Sequence, residues 1–167
     1  MPTHSMKNIK IPNNILIPDI KNKITQYGNA TIRVYGYSMR IFLENGRDKV
    51  TLTRPEIDKL QKGDVVLAEI APQLYVLHRI IKRNGNHLTL MGDGNVQGTE
   101  ECDVNSVIGI ATAFYRKNRE KPDLATSKKW KIYSRVWLTL TPIRRWILAF
   151  YRHIWLKIFP IKQPYSK

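Results

Sequence analysis

From residue 30 to residue 114 apolar and branched side chains come in short runs, alternating with polar ones at 30–35 and 48–53, that break at Gly, Pro or Asn, the pattern of strands joined by turns. The runs cover residues 30–35, 48–53, 65–70, 75–81, 87–91 and 104–114. Pro72 ends the third run, and Asn84-Gly85 between the fourth and fifth is a strong hairpin signal. One helix precedes them over residues 19–27, with Ile20 and Ile24 at helical spacing and Gly28 as its stop. Residues 1–14 are polar and read as loose. The expected fold is therefore mainly β, α+β overall: a small β-rich core with one short N-terminal helix.

After residue 127 the period changes to that of helices. Trp130, Tyr133, Trp137 and Leu140 recur on one face, then Pro142 suits a first helical turn, and Ile143, Trp146, Ile147, Phe150, Ile154 and Ile158 share a second face. Charge separates the same regions. Of the net charge of +15, residues 116–167 carry +12, from 14 Lys and Arg against two acids, and they hold all four tryptophans. The expected organisation is a core over residues 1–115, a polar linker over 116–127 and a basic, Trp-rich amphipathic helical tail over 128–167. Arg144, Arg145 and Arg152 would each cost about 2.5–3.5 kcal/mol at a bilayer centre, so the tail reads as lying on an anionic membrane surface and not crossing it. Packing of these helices on the core or on another subunit is the competing reading.

Cys102 is the only cysteine, which excludes an intrachain disulfide framework and multi-cysteine metal sites and suits a reducing compartment. No cofactor is implied. The N-terminus lacks an apolar run long enough for a signal peptide or a membrane span, so the expectation is a cytoplasmic, peripherally membrane-associated protein. The basic charge could suit nucleic acid, but it lies in the Trp-rich tail and no base-reading motif is visible, so no nucleic-acid partner is expected.

Candidate chemistry centres on Ser38, just past the first strand in VYGYSMRIFLENGRDKV (residues 34–50). A hydroxyl there can face a cleft while rigid backbone holds it, although a serine at a strand end is as readily a turn residue. Three segments follow in order: LQKGDVVLA at 60–68, YVLHRIIK at 75–82 with His78, and LTLMGDGN at 88–95 with Asp93. This succession resembles the signal peptidase and LexA-like serine peptidase superfamily over about residues 34–113. Most bacterial members use a lysine base, and His78 at that place is similar to the Ser-His variant of endoplasmic-reticulum-type signal peptidases.

The resemblance implies a serine endopeptidase that cuts a peptide or precursor protein, such as a leader, near the membrane. Ser38 would be its nucleophile, His78 its base and Asp93 the acid orienting His78. A histidine serves as base at neutral pH without the desolvation a lysine needs, but it wants an acid to fix its tautomer. The family's second acidic position falls at Thr99, beside Glu100 and Glu101, and makes Glu100 the reserve orienting acid. Two positions depart from the family pattern: Ile41 stands where Pro is common, and Gly36 where bacterial relatives often carry an oxyanion-assisting hydroxyl. The Ser38 N–H would remain as one oxyanion donor, the second being unassigned. The alternatives are a non-catalytic relative that binds peptides by strand addition, and a LexA-like self-cleaving regulator, which would need a DNA-binding helix-turn-helix.

Overall fold

The computed structural model describes residues 13–161. Of the terminus expected to be loose over residues 1–14, residues 1–12 lie outside them, and Asn13 and Asn14 are helical instead. The protein is α+β. Helix α1 (Asn13–Tyr27) precedes one antiparallel eight-stranded sheet, and helices follow it. The strands are β1 (Asn29–Arg33), β2 (Lys49–Thr53), β3 (Val65–Ala71), β4 (Leu74–Asn84), β5 (His87–Met91), β6 (Glu100–Asp103), β7 (Val107–Tyr115) and β8 (Asp123–Leu124). Their order is β1-β2-β7-β3-β4-β5-β6, with β8 on β7.

Every strand read from alternation is present, while β6 and β8 lack that signal. In β6 only Cys102 among Glu100–Asp103 is buried, so no apolar period marks it. Residues 104–106 form a 3-10 turn ahead of β7. Helix α1 begins well before residue 19 and continues through Pro18, because Ile17, Ile20 and Ile24 form one buried stripe whose burial outweighs the proline.

Strand β3 lies between two apolar cores. Val65 and Leu67 enter the one that holds α1, β1, β2 and the Ser38 turn. Val66 and Ala68 enter the other, with Ile80, Leu88, Leu90 and Cys102. Alternation along a strand sends successive side chains to opposite faces, and the sheet is covered on both.

Contacts cross the division expected at residue 115. Helix α2 (Lys128–Thr139), capped by the Ser127 hydroxyl accepting from the Trp130 N–H at 3.2 Å, buries Trp130, Ser134 and Trp137. The Trp130 ring sits 4.2 Å from both Phe42 and Phe114, centroid to centroid, and belongs to the first core. Residues 116–127 are no free linker: β8 pairs with β7, and Asp123 accepts from Arg116, Arg119 and Lys129. Helix α3 (Arg144–Phe150), which buries Arg144 and Leu148, runs on into a π-helical turn (Tyr151–Trp155) and α4 (Leu156–Ile158). The apolar stripe of α2 thus meets the aromatic side of the core, while Trp146, Phe150, Ile154 and Ile158 stay exposed.

Trp130→Ala should lower unfolding stability in urea by about 3–5 kcal/mol, as large aromatic truncations in a core do. Truncation after Phe114, which the sequence alone would expect to release a working core, should abolish the cooperative unfolding transition.

Candidate active site

Ser38 sits in a turn that is pinned from both sides. Backbone bonds from Val34 N–H to Asp48 (2.9 Å) and Gly46 N–H to Val34 (2.8 Å) close the 34–48 loop. Buried Asp48 accepts from the Glu44 N–H at 2.9 Å and from Arg47, and Met39, Phe42 and Leu43 anchor the segment in the core. The Arg40–Ile41 peptide bond is cis. The half-buried Ser38 docks on the turn after β5, where the Gly94 N–H donates to its carbonyl at 2.7 Å. Two glycines permit this approach: a Cβ on Gly92 would strike the Ser38 carbonyl oxygen, and one on Gly94 the Tyr37 carbonyl oxygen.

His78, only 4% exposed, bonds through Nδ1 to Glu100 Oε2 at 2.9 Å. Its Nε2 lies 3.1 Å from the point where a Gly92 Cβ would stand, against which the Ser38 carbonyl also abuts, and Asn95 Nδ2 is 3.0 Å from that point. The Ser38 main chain and the free face of the imidazole therefore meet across a glycine. Among the described residues, no hydrogen bond joins the Ser38 hydroxyl to His78. A cleft of about 280 Å³ opens beside Ser38, lined by Tyr37, Arg40, Gly94, Asn95 and Arg152.

Asp93 does not orient His78. Its two oxygens accept from Arg79 Nε (2.8 Å) and Nη2 (2.6 Å), both residues being fully buried. The Arg79 guanidinium also donates to the Gly63 carbonyl at 2.8 Å and to the Ser134 hydroxyl of α2, and lies 4.9 Å above the Trp130 ring. Burial alone would lower the Arg79 pKa, but the Asp93 carboxylate outweighs it and holds the guanidinium charged. Arg144, buried on the same side and touching Met91 Sδ at 3.3 Å, has its pKa lowered by burial and by Arg79 despite Asp93.

The exchange of acids follows from register. The hairpin pairs Asn84 with His87, Arg83 with Leu88 and Lys82 with Thr89, a register that, uninterrupted, would place His78 opposite Asp93. A bulge between Ile80 and Lys82 shifts it by one residue, so that Ile80 faces Leu90 and Arg79 faces Met91. A one-residue shift exchanges faces. His78 then falls opposite Gly92, and Asp93 shares the face of Arg79. Glu100, paired with Leu90 in β6, shares the face of Ile80 and hence of His78.

The chain matches no family model, no curated protein and no solved structure. Ser38, His78 and Glu100 are brought together and Asp93 is turned away. Asn95, Arg152 and Ser134 were not singled out from the sequence. Only Asn95 carried a signal there, as the last residue of the Gly-Asp-Gly-Asn turn.

Asp93→Asn removes one partner of a buried pair and should cost about 3–5 kcal/mol in urea unfolding. A loss of activity at unchanged stability would contradict the purely structural placement of Asp93.

Proposed function

We propose that the protein is a serine endopeptidase of the Ser-His type, acting on a peptide or precursor protein. The observation that carries this reading is the buried His78 ring, held by Glu100 at Nδ1 with Nε2 turned to the glycine on which the Ser38 turn rests. Carboxylate on one nitrogen and serine segment beyond the other is the order in which an acid, a base and a nucleophile act. Ser38 Oγ attacks the scissile carbonyl as His78 Nε2 takes its proton. The imidazolium, stabilised by Glu100, passes that proton to the leaving amine. Water then cuts the acyl-enzyme by the same proton path in reverse. The Ser38 N–H and Asn95 Nδ2 are the oxyanion donors this arrangement offers. Closing the Ser38–His78 hydrogen bond is a step that substrate would complete, since such bonds commonly tighten only in the Michaelis complex.

Among the described residues β1 pairs only with β2, and its outer edge would take an extended substrate. A groove of about 490 Å³ runs beside it, lined by Ile20, Ile32, Val34, Leu67 and Leu77 among others, suited to apolar side chains. Ser38→Ala should abolish both peptide cleavage and labelling by a fluorophosphonate. Glu100→Gln should lower kcat by about 10²–10⁴-fold with unchanged urea stability. A protein that binds peptides along β1 yet never cuts them or takes the label would be the non-catalytic relative.

No helix among the described residues is long and apolar enough to cross a membrane. The reading includes a peripheral position on an anionic membrane at the cytoplasmic side, supported by the exposed Trp146, Phe150, Ile154 and Ile158 beside Arg145 and Lys157. The full-length protein should sediment with anionic vesicles and be released by high salt. Phe150→Glu with Ile154→Glu should remain in the supernatant, and equal sedimentation of this variant would remove the membrane from the reading.

A further inference from the structure

The C-terminal segment contributes a wall to the Ser38 cleft, and its position is built. The Tyr151 hydroxyl donates to Glu44 Oε1 at 2.6 Å, and Glu44, 1% exposed, accepts Arg40 Nε on its other oxygen at 3.0 Å. Tyr151 opens the π-helical turn, a local widening of the helix that often occurs at functional sites. The next residue, Arg152, is thereby carried over the cleft, where Nη2 reaches the carbonyl of Gly94 at 3.3 Å, the residue whose N–H holds Ser38.

The charges around the cleft do not balance. Arg40 is matched by Glu44. Arg152 meets only a neutral carbonyl at long range, and among the described residues it has no ion pair. Among the described residues no acidic side chain lines the cleft. A guanidinium presents a planar fork that fits a carboxylate bidentately, and its partner here would be drawn from what enters beside Ser38.

We propose that Arg152 is a specificity-determining residue that binds a carboxylate of the substrate next to the cut bond, so that the preferred substrates are acidic at that point. The inference rests on the serine-peptidase reading and adds to it a substrate class. The carboxylate has two sources, an Asp or Glu side chain or the C-terminus of a short peptide.

The test uses the full-length chain and a synthetic random peptide library, once with free and once with amidated C-termini, with new termini sequenced after digestion. Fluorophosphonate labelling, which needs no carboxylate, reports Ser38 reactivity separately. Asp and Glu should be enriched about threefold to tenfold at one fixed position beside the cut, the modest size expected of an exposed ion pair, with the enrichment falling at high salt. Arg152→Gln should erase the enrichment, and Arg152→Glu should replace it by Lys and Arg. Enrichment confined to cuts at a fixed distance from a free C-terminus, and lost on amidation, would assign the carboxylate to the terminus. Labelling with no acidic preference, with cleavage of no acidic peptide, or with a preference unmoved in Arg152→Glu overturns the inference and leaves the peptidase reading standing. Neither labelling nor cleavage by the wild type overturns both.

Discussion

The buried pair of Arg79 and Asp93 is the interaction on which the rest of the molecule depends. A guanidinium at 0% exposure is tolerated only when its donors are met, and here they are met from four places at once. Asp93 supplies two oxygens from the turn after β5, Gly63 a carbonyl from the turn before β3, Ser134 a hydroxyl from α2, and Trp130 a ring face. Each partner fixes a different part of the molecule. Asp93 sets the glycine turn on which Ser38 rests, and Ser134 and Trp130 bring the C-terminal helices onto the core. Removing any one leaves a charge without its full complement in a region of low dielectric, so the site and the helical segment are held by the same cation.

That pair also explains what the sequence could and could not tell. The alternation of residues 30–35 and 48–53 showed strands with one face on a core, and the unbroken apolar run at 65–68 showed one covered on both faces, which are local properties. The choice between Asp93 and Glu100 as the partner of His78 was not local. It turns on one extra residue in β4, and a bulge of this kind leaves no mark in the apolar period, since Ile80 and Ile81 are both branched and apolar. Glu100 stood only as the reserve acid for a related reason. Its strand, β6, is four residues long, and one of them is Cys102, its only buried side chain.

The helical segment was legible in period and illegible in partner. Trp130, Tyr133 and Trp137 announce a stripe whether it lies on lipid or on protein, because both take aromatic side chains. What decides is Phe42 and Phe114, whose rings leave a place at 4.2 Å for Trp130. No one-dimensional signal joins a residue of the Ser38 turn to the end of β7 and to α2. The same limit applies to the charges. Arg144, Arg145 and Arg152 count equally in a net charge of +15, yet the first is buried, the second exposed beside Trp146, and the third lies over the cleft.

The C-terminal segment consequently has two physical faces with separate duties. Its inward face, through Trp130, Ser134, Leu148 and Tyr151, completes the core and the wall beside Ser38. Its outward face, through Trp146, Phe150, Ile154 and Ile158, holds apolar surface that the described residues leave exposed. The two are linked at the π-helical turn, where Tyr151 is bonded to buried Glu44 while Ile154, in the same turn, is exposed. Whatever engages the outer face bears on the element that holds Arg152, which lines the same cleft as Ser38. The exposed apolar surface and Arg152 at the cleft thus lie on one helical run, while the buried Arg79 guanidinium ties the preceding helix, α2, to the strand that carries His78.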